Sequence, residues 1–332
     1  PFYYIENGMG KSWKWLAKIF AFMGVCVGLF GIGTFTQING ITSAVHNFFD
    51  ANNAHTVQLF GMDYSWSVVI SGILLTICVA LVVIGGLKRI STVAQVIVPF
   101  MAVTYVVACL LVLIFNVTAI PAAIVTIVQS AFGMRAVAGG ALGAVIMAMQ
   151  KGIARGIFSN EAGIGSAPIA AAAAQTKEPA RQGLVSMTGT FIDTIVICSC
   201  TAMIMLLAPE DLVQGLSGME LLQTAMHYHM GQFGVIFIAA TLFMFSFSTF
   251  LGILFYARGN VAYLFGDNWG SQTGYKVLAL VMLFIGGIAA YTFVWDLGDV
   301  GIGLMTIFNI AALYLIGGQA LDELKAYEES KK

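Results

Sequence analysis

The chain has 332 residues, of which 59% are hydrophobic and only 9% charged, and its mean hydropathy is +0.90. A soluble domain carries about a quarter charged residues, so this composition excludes an ordinary soluble protein and predicts one solvated by lipid. The net charge of −1 excludes the basic surface that nucleic-acid binding requires. Because the sequence opens at Pro1 without an initiator Met, we expect it to be the interior of a longer protein.

Eight stretches are long and apolar enough to form membrane-spanning helices, which need about 20 residues. They lie at about 16–40, 65–87, 90–115, 135–154, 183–208, 232–257, 276–295 and 299–318. Two shorter apolar stretches, at about 120–133 and 219–230, are predicted to lie along the surface or to re-enter the protein. The fold class predicted is therefore an all-α polytopic membrane protein with about eight transmembrane helices.

The distribution of basic residues orients these helices. If the chain starts in the cytoplasm and alternates sides, Arg135 is the only one of the 15 basic residues left outside. A wrong number of spans would scatter these charges over both sides. We therefore expect a multi-pass protein of the cell membrane (plasma or inner) with both ends of this chain in the cytoplasm.

Polar groups at membrane depth are the candidate site residues, because each needs a partner or lines a path. In the first span, Gln37 offers two donors and an acceptor, which suits a zwitterionic substrate or an interhelical hydrogen bond. The fourth span carries Gly139, Gly140 and Gly143 in the run GGALG. Such a run loosens a helix and frees backbone groups for a ligand, although close helix crossing explains it equally well.

The sixth span contains three hard oxygen ligands in one short run. Ser248 and Thr249 supply adjacent hydroxyls, and Phe245 supplies a main-chain carbonyl one turn earlier. Sodium binds such oxygens, but hydroxyls in membrane helices also commonly bond their own helix carbonyls. Both readings stay open from the sequence alone.

Three charged residues inside or next to the predicted spans complete the set of candidate site residues. Asp193 lies inside the fifth span and belongs either to a cation path or to a structural pair with a basic neighbour. Arg155 and Glu161, at the cytoplasmic end of the fourth span, are predicted to form an ion pair that closes the inner side. The sequence contains no HExxH, GxSxG or Walker motif, so we expect neither an enzyme nor a cofactor.

Four stretches of the sequence carry a family resemblance. These are GIARGIFSNEAGIGSAP from Gly152 to Pro168, RQGLVSMTGTFIDT from Arg181 to Thr194, YYIENG from Tyr3 to Gly8, and QIN from Gln37 to Asn39. Together they resemble the alanine or glycine:cation symporter family from one end of the chain to the other. The family often has a Trp and then an acidic residue after Leu251-Gly252, where this chain has Ile253 and Arg258.

The resemblance implies a leucine-transporter-like fold of two inverted five-helix repeats, with substrate near the midplane. About three N-terminal helices of the family would then be absent from this chain, and the chain alone would not transport. Residues 1–332 would form one transmembrane domain, in which 1–115 hold the last three helices of repeat one, 116–320 hold repeat two and 321–332 form a cytoplasmic tail.

The resemblance also implies roles for the candidate residues. Gln37 falls where the family contacts substrate, GGALG falls on a broken helix, and Ser248 and Thr249 fall where the fold binds sodium. The expected function is sodium-coupled symport of a small neutral amino acid, alanine or glycine, by alternating access. A proton-coupled or uncoupled transporter, or a channel or sensor on the same helices, is the alternative, and the oligomeric state stays open.

Overall fold

The computed structural model describes residues 1–31, 33–50, 52, 54–59, 61–84, 86–131 and 140–331. Within them the chain is helical apart from one short hairpin. The first helices are α1 (Phe2–Gly8), α2 (Lys14–Phe30), α3 (Phe35–Phe49), α4 (Trp66–Ile84), α5 (Gly86–Phe115), α6 (Ile120–Ala131) and α7 (Gly140–Ser159). The remaining ones are α8 (Ala167–Ala171), α9 (Pro179–Phe191), α10 (Ser199–Leu206), α11 (Glu210–Val213), α12 (Gly218–Phe265), α13 (Trp269–Ile288) and α14 (Tyr291–Glu329).

Seven helical segments within the described residues are long and apolar enough to cross a membrane. They correspond to every predicted span except the fourth, at about 135–154, which begins in residues 132–139, outside the described part of the chain. Helix α7 covers the rest of that span. The predicted all-α polytopic class is therefore confirmed, and the chain is a multi-pass membrane protein.

The short apolar stretches also form helices. Helix α6 corresponds to the predicted segment at about 120–133. The segment at about 219–230 is the first part of α12, and it ends where Gly231 adopts a non-helical conformation with φ 62° and ψ −151°. The predicted boundary between a short helix and the sixth span is therefore present as a kink.

Several predicted boundaries were wrong. The first span, predicted as one helix over about 16–40, is two helices, α2 and α3, separated at Gly31–Thr34. The span bounds predict a break between the last two spans near residue 297, but it lies at Ala289–Ala290, so Asp296 and Asp299 lie in the first turns of α14. Residues 321–329 of the predicted cytoplasmic tail are helical and continue α14, and their location outside the membrane stays a prediction.

A β-hairpin that the sequence analysis did not predict follows α3. Strands β1 (Thr56–Leu59) and β2 (Met62–Ser65) pair antiparallel. Asp50, at the end of α3, accepts hydrogen bonds from the Ser65 hydroxyl at 2.7 Å and from the Ala54 amide at 2.8 Å. These bonds hold the pKa of the Asp50 carboxyl below its usual range, with the Ser65 hydroxyl as the largest cause.

The chain divides into two compact units. One comprises residues 1–99, 163–187 and 242–332, and the other comprises residues 100–162 and 188–241. The core of the first unit joins α3, α4, α12 and α13 through buried apolar side chains such as Ile38, Leu75, Phe250 and Leu283. In the second unit, α6 packs on α7, and the Tyr105 and Thr201 hydroxyls lie 2.6 Å apart.

Helix α3 fixes the break between α13 and α14. The Asn39 amide donates to the Ala289 carbonyl at 2.7 Å, and the Thr42 hydroxyl donates to the Gly287 carbonyl at 2.8 Å. A Cβ on Gly286 would lie 2.5 Å from the Phe35 ring, so glycine allows α13 to approach α3 this closely. The carbonyls freed where α13 ends are thus satisfied by side chains of a neighbouring helix.

Candidate substrate and cation site

Gln37 lies on α3 and contacts α12. Its side-chain oxygen accepts a hydrogen bond from the fully buried Ser246 hydroxyl at 3.0 Å. This contact is the interhelical hydrogen bond, one of the two roles that the sequence analysis considered for Gln37. The bond occupies the Gln37 oxygen and leaves the amide NH₂, with two donor hydrogens, as the end that suits a substrate carboxylate.

Ser248 and Thr249 lie on α12 directly after Ser246 and converge on one carbonyl. The Ser248 hydroxyl donates to the Phe245 carbonyl at 2.8 Å, and the Thr249 hydroxyl donates to the same oxygen at 2.9 Å. Each hydroxyl therefore satisfies its own helix, as the plainer interpretation expected. A hydroxyl that donates its proton keeps its two lone pairs, so the Ser248 and Thr249 oxygens are a pair of hard ligands, while the Phe245 carbonyl oxygen accepts both of their protons.

The break between α2 and α3 lies against this cluster. Gly33 has φ 94°, and a Cβ at this position would lie 2.6 Å from Ile253 and 3.4 Å from the Thr249 methyl group. The Thr36 hydroxyl accepts from the Gly33 amide at 3.2 Å, and the Thr34 hydroxyl donates to the Gly28 carbonyl at 3.0 Å. The irregular backbone between α2 and α3 therefore forms hydrogen bonds with nearby threonine hydroxyls, and Gly33 lies beside Thr249 of α12.

The GGALG glycines lie in the other compact unit. Gly139 falls outside the described residues, Gly140 is the first residue of α7, and Gly143 is exposed within that helix. A Cβ on Gly143 would meet no heavy atom within 4 Å. Close helix crossing at Gly143 is therefore absent within the described residues, and the backbone around it stays a predicted substrate contact.

Asp193 lies in a π-helical segment (Ile192–Cys198) between α9 and α10. Its carboxylate accepts a hydrogen bond from the Ser159 hydroxyl of α7, and the neighbouring Thr194 hydroxyl donates to the Asn160 side chain at 2.7 Å. Among the described residues Asp193 forms no ion pair with a basic side chain. The predicted pairing with a basic neighbour is thus replaced by a hydroxyl, at a helix irregularity of the kind found at functional sites.

Arg155 and Glu161 flank the end of α7. Arg155 lies in the last two turns of the helix, and Glu161 follows it with φ 49°, an unusual conformation for a residue other than glycine. Gly163 and Gly165 continue this turn with φ 78° and 93°. The ion pair between Arg155 and Glu161 stays a prediction.

Two features of this region were missed by the sequence analysis. Ser246, the partner of Gln37, was not chosen, although it shares a helix face with Thr249 three residues later. The helix break at Gly33 was also missed, although the run Gly31-Ile-Gly33-Thr34 combines flexible glycines with a capping hydroxyl.

Comparison with known proteins identifies the family. The family model described as the sodium:alanine symporter family matches residues 1–332. An uncharacterized transporter of Haemophilus influenzae is 41% identical over the whole chain, which covers 69% of that relative. The sodium/alanine symporter AgcS of Methanococcus maripaludis is 39% identical, again over the whole chain, and 70% of it is covered.

A third relative, the probable sodium/glutamine symporter GlnT of Bacillus subtilis, is 35% identical over the whole chain, and 65% of it is covered. The chain thus spans about two thirds of the length of these relatives. All of them are transporters and none is an enzyme. The chain belongs to the sodium:alanine symporter family.

Proposed function

We propose that this chain is the membrane core of a secondary transporter that moves a small neutral amino acid together with sodium. The match of the whole chain to the sodium:alanine symporter family carries this proposal. Two relatives bear names that combine sodium with alanine or glutamine, so a neutral amino acid and sodium are the substrates to test first.

The first unit supports a sodium site on α12. The Ser248 and Thr249 hydroxyls each lie within 3 Å of the Phe245 carbonyl oxygen. Thr249 also lies beside the broken backbone at Gly33. Uncharged hard oxygens suit a monovalent cation that must bind and be released in every cycle. No titratable group takes part in this cluster, which favours sodium over proton coupling.

Gln37 and the backbone of α7 are the proposed amino-acid contacts. Gln37 lies in the first turn of α3, directly after the α2–α3 break, on a helix whose other side is buried, and its bond to Ser246 fixes the orientation of its amide. We propose that this amide binds the substrate carboxylate. Gly139, Gly140 and Gly143 would supply further backbone contacts when α7 opens at its start.

Sodium-dependent binding tests this proposal. Radiolabelled alanine is added to the purified full-length protein in detergent, in sodium chloride or in potassium chloride of equal ionic strength, with glycine, glutamine and leucine as competitors. We expect alanine binding only with sodium and displacement by the smaller amino acids. Binding of equal strength in potassium would contradict sodium coupling, and displacement by leucine alone would contradict a small substrate.

A further inference from the structure

A cleft in the first unit combines apolar walls with two cations. Helices α4, α5, α12 and α13 line a cleft of about 30 Å³ that is partly open to the outside. Val83, Leu254 and Phe255 form apolar walls, and Arg258 and Lys276 also line the cleft. This cleft is separate from the hydroxyl cluster and is not used by the transport proposal.

The cleft lies near the ends of four candidate spans. Val83 is the last residue of its span, and Ile90 precedes the start of the next one by two residues. Arg258 and Lys276 each lie seven residues from the ends of α12 and α13, which is about 10 Å along a helix. Long basic side chains at this depth extend to the level of the lipid headgroups.

The positive charge in the cleft is incompletely neutralised. Lys276 donates to the Val83 main-chain carbonyl at 3.3 Å and forms no ion pair with a carboxylate in the described part of the chain. Arg258 faces Asp267 at 3.6 Å, and both side chains are about half exposed, so this pair is weak.

Helix α13 also carries exposed apolar side chains beyond Lys276. One residue after Lys276, α13 begins a stripe of exposed apolar side chains at a spacing of four residues, formed by Val277, Val281 and Ile285. Side chains at this spacing share one face of a helix. A molecule with a phosphate in the cleft and an acyl chain along this stripe would therefore satisfy both the charge and the apolar surface.

We propose that this cleft binds the phosphate of an anionic phospholipid through Arg258 and Lys276. A free phosphate would match the same two cations but would leave the apolar walls and the α13 stripe without a partner. The combination of a basic cleft with the apolar α13 stripe at the membrane surface therefore favours the lipid.

Lipid titration of the full-length protein in detergent tests the proposal. Native mass spectrometry and thermal unfolding are followed with phosphatidylglycerol, with phosphatidylcholine and with inorganic phosphate. We expect phosphatidylglycerol to bind and to raise the unfolding temperature, and the other two to do neither. Equal effects of phosphatidylcholine, or equal stabilisation by inorganic phosphate, would overturn the assignment to an anionic lipid.

Charge variants locate the site. Arg258→Gln and Lys276→Gln are each expected to weaken phosphatidylglycerol binding about fivefold, the effect of one basic residue at a lipid surface. Lys276→Arg should retain binding, and Asp267→Asn should tighten it because the competing carboxylate is removed. Lys325→Gln, an exposed cation paired with Asp322 on α14, is the matched control and should change nothing.

Asp267→Asn keeps the test decisive if Lys276→Gln fails to fold. A lipid bound elsewhere on the protein would respond to none of the three changes at Arg258, Asp267 and Lys276. Loss of binding in Lys325→Gln equal to that in Arg258→Gln would also contradict the proposal, since it would show a response to overall charge alone.

Discussion

At the scale of single residues, the hydroxyls of α12 satisfy their own helix and are the proposed sodium ligands. Ser248 and Thr249 donate to the Phe245 carbonyl, and the Thr249 methyl group lies close to Gly33. We propose that a sodium ion at this place is bound by the lone pairs of the two hydroxyls. The test is therefore whether removal of a hydroxyl changes sodium dependence or only stability.

Thr249→Ala and Ser248→Ala are expected to raise the sodium concentration needed for half-maximal transport about tenfold. The physical reason is the loss of one oxygen ligand to a charged group, which is worth about 1.5–3 kcal/mol. The measurement is alanine uptake as a function of sodium concentration in proteoliposomes.

Thr241→Ala is the matched control for these variants. Thr241 lies on the same helix, is buried, and donates to its own carbonyls of Phe237 and Ile238 at 2.9 and 3.2 Å. It should leave sodium dependence unchanged. If Thr249→Ala shifted sodium dependence no more than Thr241→Ala, the hydroxyls would be structural only.

Gln37→Ala is expected to raise the KM for alanine about tenfold and to leave sodium activation unchanged, because a hydrogen bond to the charged substrate is lost. Uptake kinetics at saturating sodium measure this. Ser246→Ala separates a binding role from a structural one, since it removes the contact between α3 and α12 and keeps the Gln37 amide. Equal effects of the two variants would refute substrate binding by Gln37.

The residue types of this site could be predicted from the sequence, but their partners could not. Hydroxyls and an amide within apolar spans are conspicuous because polar groups at membrane depth are rare. The bond between Gln37 and Ser246 joins residues 209 positions apart, and no local pattern specifies such a pair. In the same way, charge alone suggested a basic partner for Asp193 as one alternative, where the fold provides the Ser159 hydroxyl.

At the scale of elements, the break between α2 and α3 is the feature that shapes the site. Gly33 has a positive φ and lies within contact distance of Ile253, so a side chain at this position meets both backbone strain and a steric clash. The close approach of the break to α12 thus depends on glycine.

Gly33→Ala is expected to lower the unfolding free energy by about 1–3 kcal/mol, for these two reasons. Thermal unfolding in detergent measures the change. Gly152→Ala is the control, because Gly152 is exposed within α7 and a Cβ there meets no heavy atom within 4 Å. It should be neutral or slightly stabilising. Equal stability of the two variants would show that the break tolerates a side chain.

The stability of the connection from α3 to the hairpin should depend on pH because of the Asp50 carboxyl. Its pKa is lowered by the Ser65 hydroxyl and the Ala54 amide, so the ionised form stabilises the fold. This stabilisation is present above the unfolded pKa, about 4, and is lost as the pH falls through the lower folded pKa.

Hydrogen exchange of the Ala54 amide measures this effect. We expect protection to fall below about pH 4. In Asp50→Asn it should be weak at every pH. Asp63→Asn, an exposed position on the same hairpin, should behave like the parent. A pH-independent protection of Ala54 in the parent would contradict the role of the Asp50 carboxylate.

The presence of the helices could be predicted from the sequence, but the residues at which they end could not. Hydropathy over about 20 residues identifies a span. It does not show where a helix is interrupted when the free backbone groups bond to a helix distant in sequence. The end of α13 illustrates this, because its free carbonyls receive hydrogen bonds from Asn39 and Thr42 of α3 and not from a local cap. The hairpin was missed because its strands are short and largely exposed.

At the scale of the whole molecule, the division into inverted repeats stays a prediction of the family resemblance. The two compact units are both discontinuous in sequence, as expected when helices distant in the chain pack together. Each unit holds part of the proposed machinery, with Gln37 and the α12 hydroxyls in one and the α7 glycines and Asp193 in the other.

Concentrative uptake tests the central claim of amino-acid:sodium symport most directly. Proteoliposomes that contain the full-length protein are loaded with potassium and diluted into radiolabelled alanine with either external sodium or external potassium. The account predicts accumulation of alanine above its external concentration only with an inward sodium gradient, and collapse of that accumulation when the gradient is dissipated. Equal uptake in both media, or uptake that stops at the external concentration, would contradict a sodium-coupled symporter.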